Sequence, residues 1–159
     1  MSNPKTNAMR ILEQKKITYE FFTYDAKDGQ IDGISVAEKI GQDPKTVFKT
    51  LVTQGNSKNI YVFVIPVQEN LDLKKAAKAA GEKKVEMIHV KDILKWTGYV
   101  RGGCSPIGMK KKYQTFIDNS ALENEKIIVS GGKIGVQIKL ETTKLGEITG
   151  AKFANLITK

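Results

Sequence analysis

The chain has 159 residues, of which 40% are hydrophobic and 27% are charged, and it carries a formal net charge of +9. These values are typical of a single globular domain, no segment approaches the roughly 18 apolar residues of a membrane span, and one cysteine cannot form an internal disulfide. We therefore expect one domain over residues 1–159 of a cytoplasmic protein, since the N-terminus also lacks the apolar centre of a secretory signal.

The first half of the chain alternates between helical and extended patterns. In chain order we predict a helix over Thr6–Lys16, a strand over Thr18–Tyr24, a polar loop over Asp25–Gly33, a helix from Ser35 to Gly41, and strands over Val47–Thr53 and Asn59–Val67. The pattern Ser35-Val36-Ala37-Glu38 is a capping box, and Gly55-Asn56 is a turn signal between the last two strands.

The second half continues the same alternation. We predict helices over Leu73–Ala80 and Lys91–Trp96, a closing helical region that starts at Thr142 or Thr143 and breaks near Gly150, and strands over Val85–Ile88, Tyr99–Arg101, Gln114–Asp118, Lys126–Ser130 and Gly135–Leu140. Asp72 can cap the first of these helices and Gly81 can end it. The pair Gly131-Gly132 predicts a hairpin between the last two strands. The sequence thus indicates one mixed α/β domain.

The surface charge is carried almost entirely by lysine. Only Arg10 and Arg101 are arginines among the 26 basic residues. Lysine attracts polyanions as a point charge and lacks the forked donors that read guanine edges. The composition favours contacts with a nucleic-acid backbone and little base readout; a surface that only keeps the protein in solution is the alternative.

The stretch YVRGGCSPIGMKKK at Tyr99–Lys112 is the most unusual part of the sequence. Glycine lets a ligand approach the main chain closely, and Pro106 restricts both its own backbone and that of the preceding residue. We expect a stiff loop with exposed backbone groups beside Lys110–Lys112, suited to a small polar group on a phosphodiester chain. An ordinary tight turn followed by a solvated basic segment is the alternative.

Lys49 interrupts the apolar segment Val47–Thr53. Strand alternation could point its side chain at water. The other interpretation is a lysine that projects into a pocket, where it could pair with phosphate or polarise a carbonyl oxygen.

The sequence offers few other catalytic groups. One histidine, His89, and one cysteine, Cys104, are too few for a usual zinc site or a recognisable Ser-His-Asp triad. The segment Gly103–Lys110 lacks the spacing and the hydroxyl residue of a nucleotide-binding P-loop. Cys104 could be a nucleophile, but no base is evident beside it, and a loop cysteine near a pocket is the simpler interpretation. We expect neither a metal nor another cofactor.

Several motifs together resemble the YbaK family of Cys-tRNA(Pro) deacylases, which is similar to the editing domain of bacterial prolyl-tRNA synthetases. They are FKTL around Lys49, LDLKKAAKA at Leu71–Ala79, KKVEM at Lys83–Met87, TGYVRGGCSPIG at Thr97–Gly108 and VSGGKIGVQI at Val129–Ile138. The resemblance spans nearly the whole chain in order. It implies a mixed, barrel-like β-sheet with surrounding helices.

The resemblance also implies which residues form the site. The family's central, catalytic lysine falls on Lys49, and Tyr24 matches an aromatic position that borders the family's pocket. Where the family's best-known member has an aspartate this chain has Gln137, so a carboxylate role is in doubt there. The implied substrate-binding segments are the G-x-x-x-P loop, which comprises Gly102, Gly103, Cys104, Ser105 and Pro106, and the segment Ser130, Gly131 and Gly132.

The implied activity is removal of cysteine mischarged onto tRNA(Pro), with Cys-tRNA(Cys) as a further substrate. In this family the substrate's own thiol is thought to attack the aminoacyl ester, which agrees with the short catalytic inventory. The implied partners are the 3′ acceptor end of aminoacyl-tRNA and, transiently, prolyl-tRNA synthetase; we expect a monomer that does not bind membranes. Two alternatives stay open: a deacylase for another substrate such as Ala-tRNA(Pro), and a non-enzymatic RNA-binding module.

Overall fold

A computed structural model describes residues 5–158. Within that range the five α-helices are α1 (Asn7–Gln14), α2 (Gly33–Lys39), α3 (Leu73–Ala80), α4 (Ile93–Thr97) and α5 (Thr142–Thr149). The eight strands are β1 (Tyr19–Thr23), β2 (Phe48–Gly55), β3 (Ile60–Pro66), β4 (Val85–Met87), β5 (Gln114–Asp118), β6 (Lys126–Lys133), β7 (Val136–Glu141) and β8 (Lys152–Ala154). Short 3₁₀ helices cover Pro44–Thr46, Val90–Asp92 and Asn119–Glu123.

The strands form two sheets. The smaller sheet has the order β1-β7-β6 and is antiparallel throughout. The larger sheet has the order β4-β2-β3-β5-β8, in which β3 pairs with β5 and β5 pairs with β8 in parallel. This mixed arrangement confirms the α/β class that the alternating sequence predicts.

The larger sheet is built around β3, in which every residue is buried. Its continuous apolar sequence IYVFVIP is typical of a strand covered on both faces. One face packs against Ala76 and Ala77 of α3, and the Phe63 ring stacks on that of Phe116 in β5 at a centroid distance of 5.4 Å. On the other face, Val64 belongs to a core that includes α1 and α5.

The two sheets meet beside β2. Val47, just before β2, forms a single parallel bridge with Ile128 of β6, and Phe48 packs in the same core as Ile138 of β7. Among residues 5–158 the sheets remain two separate pairing networks and do not close into a barrel, so the barrel-like part of the expectation is not confirmed. The seam between the sheets positions the residues of the candidate site.

Local capping signals explain most helix boundaries. Asp72 accepts hydrogen bonds from the backbone N–H groups of Lys74 and Lys75, and Gly81 ends α3 in the left-handed conformation with φ +73°, as predicted. The predicted capping box at Ser35 is wrong. Helix α2 starts two residues earlier, because Asp32 is its N-cap and accepts hydrogen bonds from the Ser35 N–H and hydroxyl groups.

Three further expectations differ from the structure, and one strand has no counterpart among the expectations. Tyr99–Arg101 is irregular rather than a strand, and the Tyr99 hydroxyl donates to the Ile107 carbonyl. The pair Gly131-Gly132 lies inside β6 as a bulge instead of at the hairpin turn. Thr142 does not cap α5; it is buried and donates to the Asn124 carbonyl. Strand β8 was not predicted.

Candidate active site

A cavity lies where the two sheets and α2 meet. Its volume is about 440 Å³, and both polar and apolar groups line it. Chain segments that are distant in sequence contribute to it: the stretch that leads into α2, strand β2, the loop after α4, and single residues just after β3 and in β6 and β7. The lining residues are Gly29, Ile31, Asp32, Gly33, Val36, Val47, Phe48, Lys49, Thr50, Leu51, Val67, Arg101, Gly102, Cys104, Ser130 and Gln137.

Lys49 enters this cavity from β2. It pairs with Ile65 in the β2–β3 ladder, and its neighbour Phe48 points into the core. The side chain is half-buried, and this burial lowers the pKa of the ammonium group, while the charge of Glu69 opposes the shift. Of the two interpretations of Lys49, the position in the cavity matches the pocket-facing one.

The loop after α4 is more buried than its sequence suggests. Gly103, Cys104, Ser105 and Pro106 are buried. The expectation of a loop with exposed backbone groups is therefore wrong for most of this segment. A Cβ on Gly103 would lie 2.9 Å from the backbone nitrogen of Ile134, which means that glycine is needed for the loop to touch the β6–β7 turn.

Only part of the loop faces the cavity. Gly102, with φ +85°, and Cys104 line it, whereas Pro106 lines a separate cavity of about 200 Å³. Ser105 is fully buried, and its hydroxyl accepts a hydrogen bond from the Ile107 N–H group. Different residues of this loop therefore line two separate cavities.

Cys104 is poorly suited to act as a nucleophile. Only 9% of the residue is exposed, and burial raises the pKa of its thiol to about 11, with a hydrogen bond to Thr97 opposing the shift. A thiol with this pKa holds very little thiolate near neutral pH, and thiolate is the reactive form.

Ser130 and Gln137 face each other on the opposite wall. They are register partners in the β6–β7 ladder, and both line the cavity. The Ser130 hydroxyl accepts a hydrogen bond from the Gly132 N–H group at 3.2 Å, which fixes the start of the bulge. Gly131 is buried behind this wall, where a Cβ would lie 2.7 Å from Val136. Gly131 and Gly132 thus shape the strand, and neither lines the cavity.

Tyr24 is not among the residues that line the cavity. Its backbone N–H donates to the Gly135 carbonyl, and the ammonium group of Lys39 lies 5.9 Å from its ring centroid. Its hydroxyl is buried and has no hydrogen-bond partner among residues 5–158.

The structure adds groups that sequence patterns did not single out. Thr50 lines the cavity, and its hydroxyl is buried without a hydrogen-bond partner in the described range. Arg101 and Asp32 also line the cavity. The motif FKTL contained Thr50, but no periodic signal distinguishes its orientation from that of any strand threonine.

Within residues 5–158 no group of three or more histidine, cysteine, aspartate or glutamate side chains could hold a metal ion. None of the helices in that range is long and apolar enough to cross a membrane.

Known proteins are similar to this chain in sequence. The model of the aminoacyl-tRNA editing domain family matches residues 32–148. The chain is 48% identical over 155 residues to EbsC of Enterococcus faecalis, whose name proposes Cys-tRNA(Pro)/Cys-tRNA(Cys) deacylase activity; the match covers 98% of this chain and 94% of EbsC. It is also 30% identical over 95 residues to the proline–tRNA ligase of Brachyspira hyodysenteriae, covering 60% of this chain and 16% of the ligase.

A solved structure agrees with these matches at the level of the fold. The crystal structure of a proposed trans-editing enzyme for prolyl tRNA synthetase superposes with a TM-score of 0.84 at 21% identity, and the match covers 100% of both chains. The family match includes every residue that lines the cavity except Gly29 and Ile31. The chain therefore belongs to the aminoacyl-tRNA editing domain family.

Proposed function

We propose that this protein is a deacylase that removes cysteine from mischarged Cys-tRNA(Pro) and from Cys-tRNA(Cys), and that residues 1–159 form one editing domain. The observation that carries the proposal is a half-buried lysine in a cavity that has no histidine among its lining residues and is formed almost entirely by residues of the family match. The 48% identity to EbsC over nearly the whole chain supports the same substrate. Cytoplasmic location, a monomeric state and a transient complex with prolyl-tRNA synthetase are parts of this proposal.

Editing of this kind has a physical motive. A synthetase pocket discriminates against a slightly smaller amino acid by only about 1–3 kcal/mol per methylene-sized difference. A separate editing site can remove the resulting error after the amino acid has been attached.

The cavity suits the proposed substrate. Its volume of about 440 Å³ lies within the usual range of roughly 300–1,000 Å³ for small-molecule sites. An aminoacyl group and the ribose that carries it could enter together. The hydroxyl groups of Thr50 and Ser130 and the amide of Gln137 would provide polar contacts, and Arg101 would lie near the adjoining phosphate.

The proposed nucleophile is the thiol of the substrate cysteine. Its sulfur forms a bond to the ester carbonyl carbon, the bond from that carbon to the ribose oxygen breaks, and the thiol proton ends on the ribose oxygen. The products are a cyclic thiolactone and tRNA with a free terminal hydroxyl. Holding the reactants in position makes such an intramolecular attack effective.

In this scheme Lys49 is the catalytic residue. Below its lowered pKa it carries a positive charge, which would stabilise the negative charge that develops on the carbonyl oxygen. Gln137 is neutral, so it would bind the substrate by hydrogen bonds and leave the charge of Lys49 in effect. Cys104 would contact the substrate without reacting with it.

Single-turnover deacylation of tRNA(Pro) that carries different amino acids tests this proposal. Cysteinyl-tRNA should be cleaved much faster than seryl-tRNA, because a thiol with a pKa of about 8.5 supplies far more anion near neutral pH than an alcohol does. S-methylcysteinyl-tRNA should bind but not react. The Cys104→Ala variant should keep most of the activity.

Other outcomes would contradict the proposal in distinct ways. Equal rates for the free and the methylated thiol would make water the nucleophile. Faster cleavage of alanyl-tRNA than of cysteinyl-tRNA would assign a different editing substrate. Binding of every charged tRNA without release of any amino acid would indicate an RNA-binding module.

A further inference from the structure

Lys39, at the end of α2, makes an unusually complete set of contacts with the preceding loop. Its ammonium group donates to the Asp25 carbonyl at 2.7 Å, to the Asp28 carboxylate at 2.8 Å and to the Gln30 carbonyl at 3.1 Å. A lysine ammonium has three N–H donors and no acceptor, so all three donors are used. The ring of Tyr24 adds a fourth, cation–π contact.

The loop that Lys39 contacts has little else to hold it. Most residues between Asp25 and Gln30 are exposed, and the range contains neither helix nor strand. Its other hydrogen bonds are local, such as those from the Gly29 N–H to the Ala26 carbonyl and from the Ile31 N–H to the Gly29 carbonyl. Segments with few buried apolar contacts open at low free-energy cost.

This loop is also a wall of the candidate active site. Gly29 and Ile31 line the cavity. The end of the Ile31 side chain lies so close to Gly102 that a Cβ there would be 2.7 Å from it. The position of the loop over Asp25–Ile31 therefore decides how the cavity is bounded next to Gly102.

We infer that Lys39 is a positioning residue for the proposed deacylase reaction: its ammonium group ties the loop over Asp25–Ile31 to α2 and so keeps this wall of the cavity closed. Lys39 does not itself line the cavity, and it acts through Gly29 and Ile31.

The geometry requires lysine in particular. Three acceptors converge on one nitrogen atom, and two of them are backbone carbonyls that no substitution can remove. The planar fork of arginine cannot direct three donors from a single atom in this way. The Lys39→Arg variant should therefore hold the loop more firmly than the Lys39→Met variant does, but less firmly than wild type.

The first test follows the loop itself and does not depend on the proposed function. Backbone amide exchange over residues 26–31 should rise in Lys39→Met by roughly fivefold or more, since hydrogen bonds to charged groups are among the stronger ones. Alkylation of Cys104, which is 9% exposed in the cavity, should also become faster. The matched control is Lys45→Met, which removes the same charge from an exposed residue just beyond α2.

The second test uses deacylation and rests on the proposed function. In Lys39→Met the KM for cysteinyl-tRNA should rise by roughly three- to tenfold while kcat stays within about twofold, because the wall affects binding more than the chemical step. Lys39→Arg should lie between Lys39→Met and wild type, and Lys45→Met should match wild type. Absence of deacylation in wild type would refute the proposed function and leave the first test to decide on Lys39.

Two results would overturn the inference. One is unchanged exchange and alkylation in Lys39→Met, and the other is a loss of kcat and melting temperature together at constant KM, which would indicate a general structural role. If Lys39→Met fails to fold, Asp28→Asn decides the question, because it weakens one of the three contacts at an exposed side chain. No change in loop exchange in that variant would equally overturn the inference.

Discussion

Lys49 carries a positive charge in a half-buried position, where burial disfavours the charged form. Burial lowers its pKa because the ammonium form loses hydration, so at neutral pH the charged group destabilises the folded state relative to an uncharged one. Functional groups are often held at such a cost to stability. Activity and stability should therefore respond in opposite directions when the charge is removed.

The Lys49→Met variant should lose activity without losing stability. Deacylation should fall by about 10²–10³-fold, as for other donors that stabilise an oxyanion, while the melting temperature at pH 7 should be equal or higher. The folded-state pKa is lowered, so the penalty in wild type is present below that pKa and fades as the pH rises through it. The difference in melting temperature should accordingly shrink at alkaline pH. A folded variant with normal turnover would remove Lys49 from the mechanism.

Sequence patterns singled out some of the residues that line the cavity and missed others for a physical reason. Lys49 was conspicuous because charge is unusual within an apolar strand, and Gly102 because paired glycines are rare. Thr50, Ile31 and Asp32 carry no such contrast, since threonine is ordinary in a strand and both other residues are ordinary near a helix start. Their roles follow only from the packing of β2 against α2 and the loop after α4.

At the scale of elements, prediction succeeded where one local interaction decides a boundary. Asp72 and Gly81 bound α3 as expected, and the buried strand β3 follows from its continuous apolar sequence. Prediction failed where two local signals compete or where a partner lies far along the chain. Asp32 and Ser35 are both possible caps for α2, and β8 forms only because β5 offers it a parallel edge.

The contact between the loop after α4 and the β6–β7 turn gives a prediction at this scale. Gly103→Ala should lower the free energy of unfolding by about 1–3 kcal/mol, the usual cost of overpacking, because the added Cβ would meet backbone atoms of Lys133 and Ile134. It should also reduce deacylation, since the loop that carries Gly102 and Cys104 must move.

Gly41→Ala provides the matched control, with stability measured by urea unfolding. Gly41 has φ +69°, and a Cβ there would meet nothing within 4 Å, so the variant is strained without touching the cavity. It should lose stability but keep its activity. Equal activity in both variants would mean that the loop position does not matter.

At the scale of the whole molecule, the net charge of +9 should govern how tRNA binds. Affinity should fall by about 0.7 log units per tenfold increase in salt for each single-strand phosphate contacted. With only two arginines, Arg10 and Arg101, the isolated protein should discriminate little between tRNA sequences that carry the same amino acid.

A double substitution of Lys111 and Lys112 by Gln locates this binding. Both lysines are exposed and lie between α4 and β5, beyond Pro106, so the variant should show a weaker salt dependence of tRNA binding, whichever tRNA is used. The same double substitution at Lys74 and Lys78, which are exposed on α3, removes an equal charge elsewhere and should change the slope less. Equal slopes would argue that overall charge, and not this basic segment, attracts the tRNA.

The distant pairing of β1 with β7 also affects how fast the protein folds. Tyr19 pairs with Leu140 and Thr23 with Val136, so the ends of this ladder come together only after a long loop has closed. Folds dominated by such distant contacts reach the native state in milliseconds to seconds rather than microseconds. During this time β1 presents an open edge, which in a crowded folding mixture can pair with another chain. Ser130 and Gln137 lie on the local β6–β7 hairpin, but β2 and the stretch before α2 line the same cavity, so the cavity is complete only after these distant segments have come together.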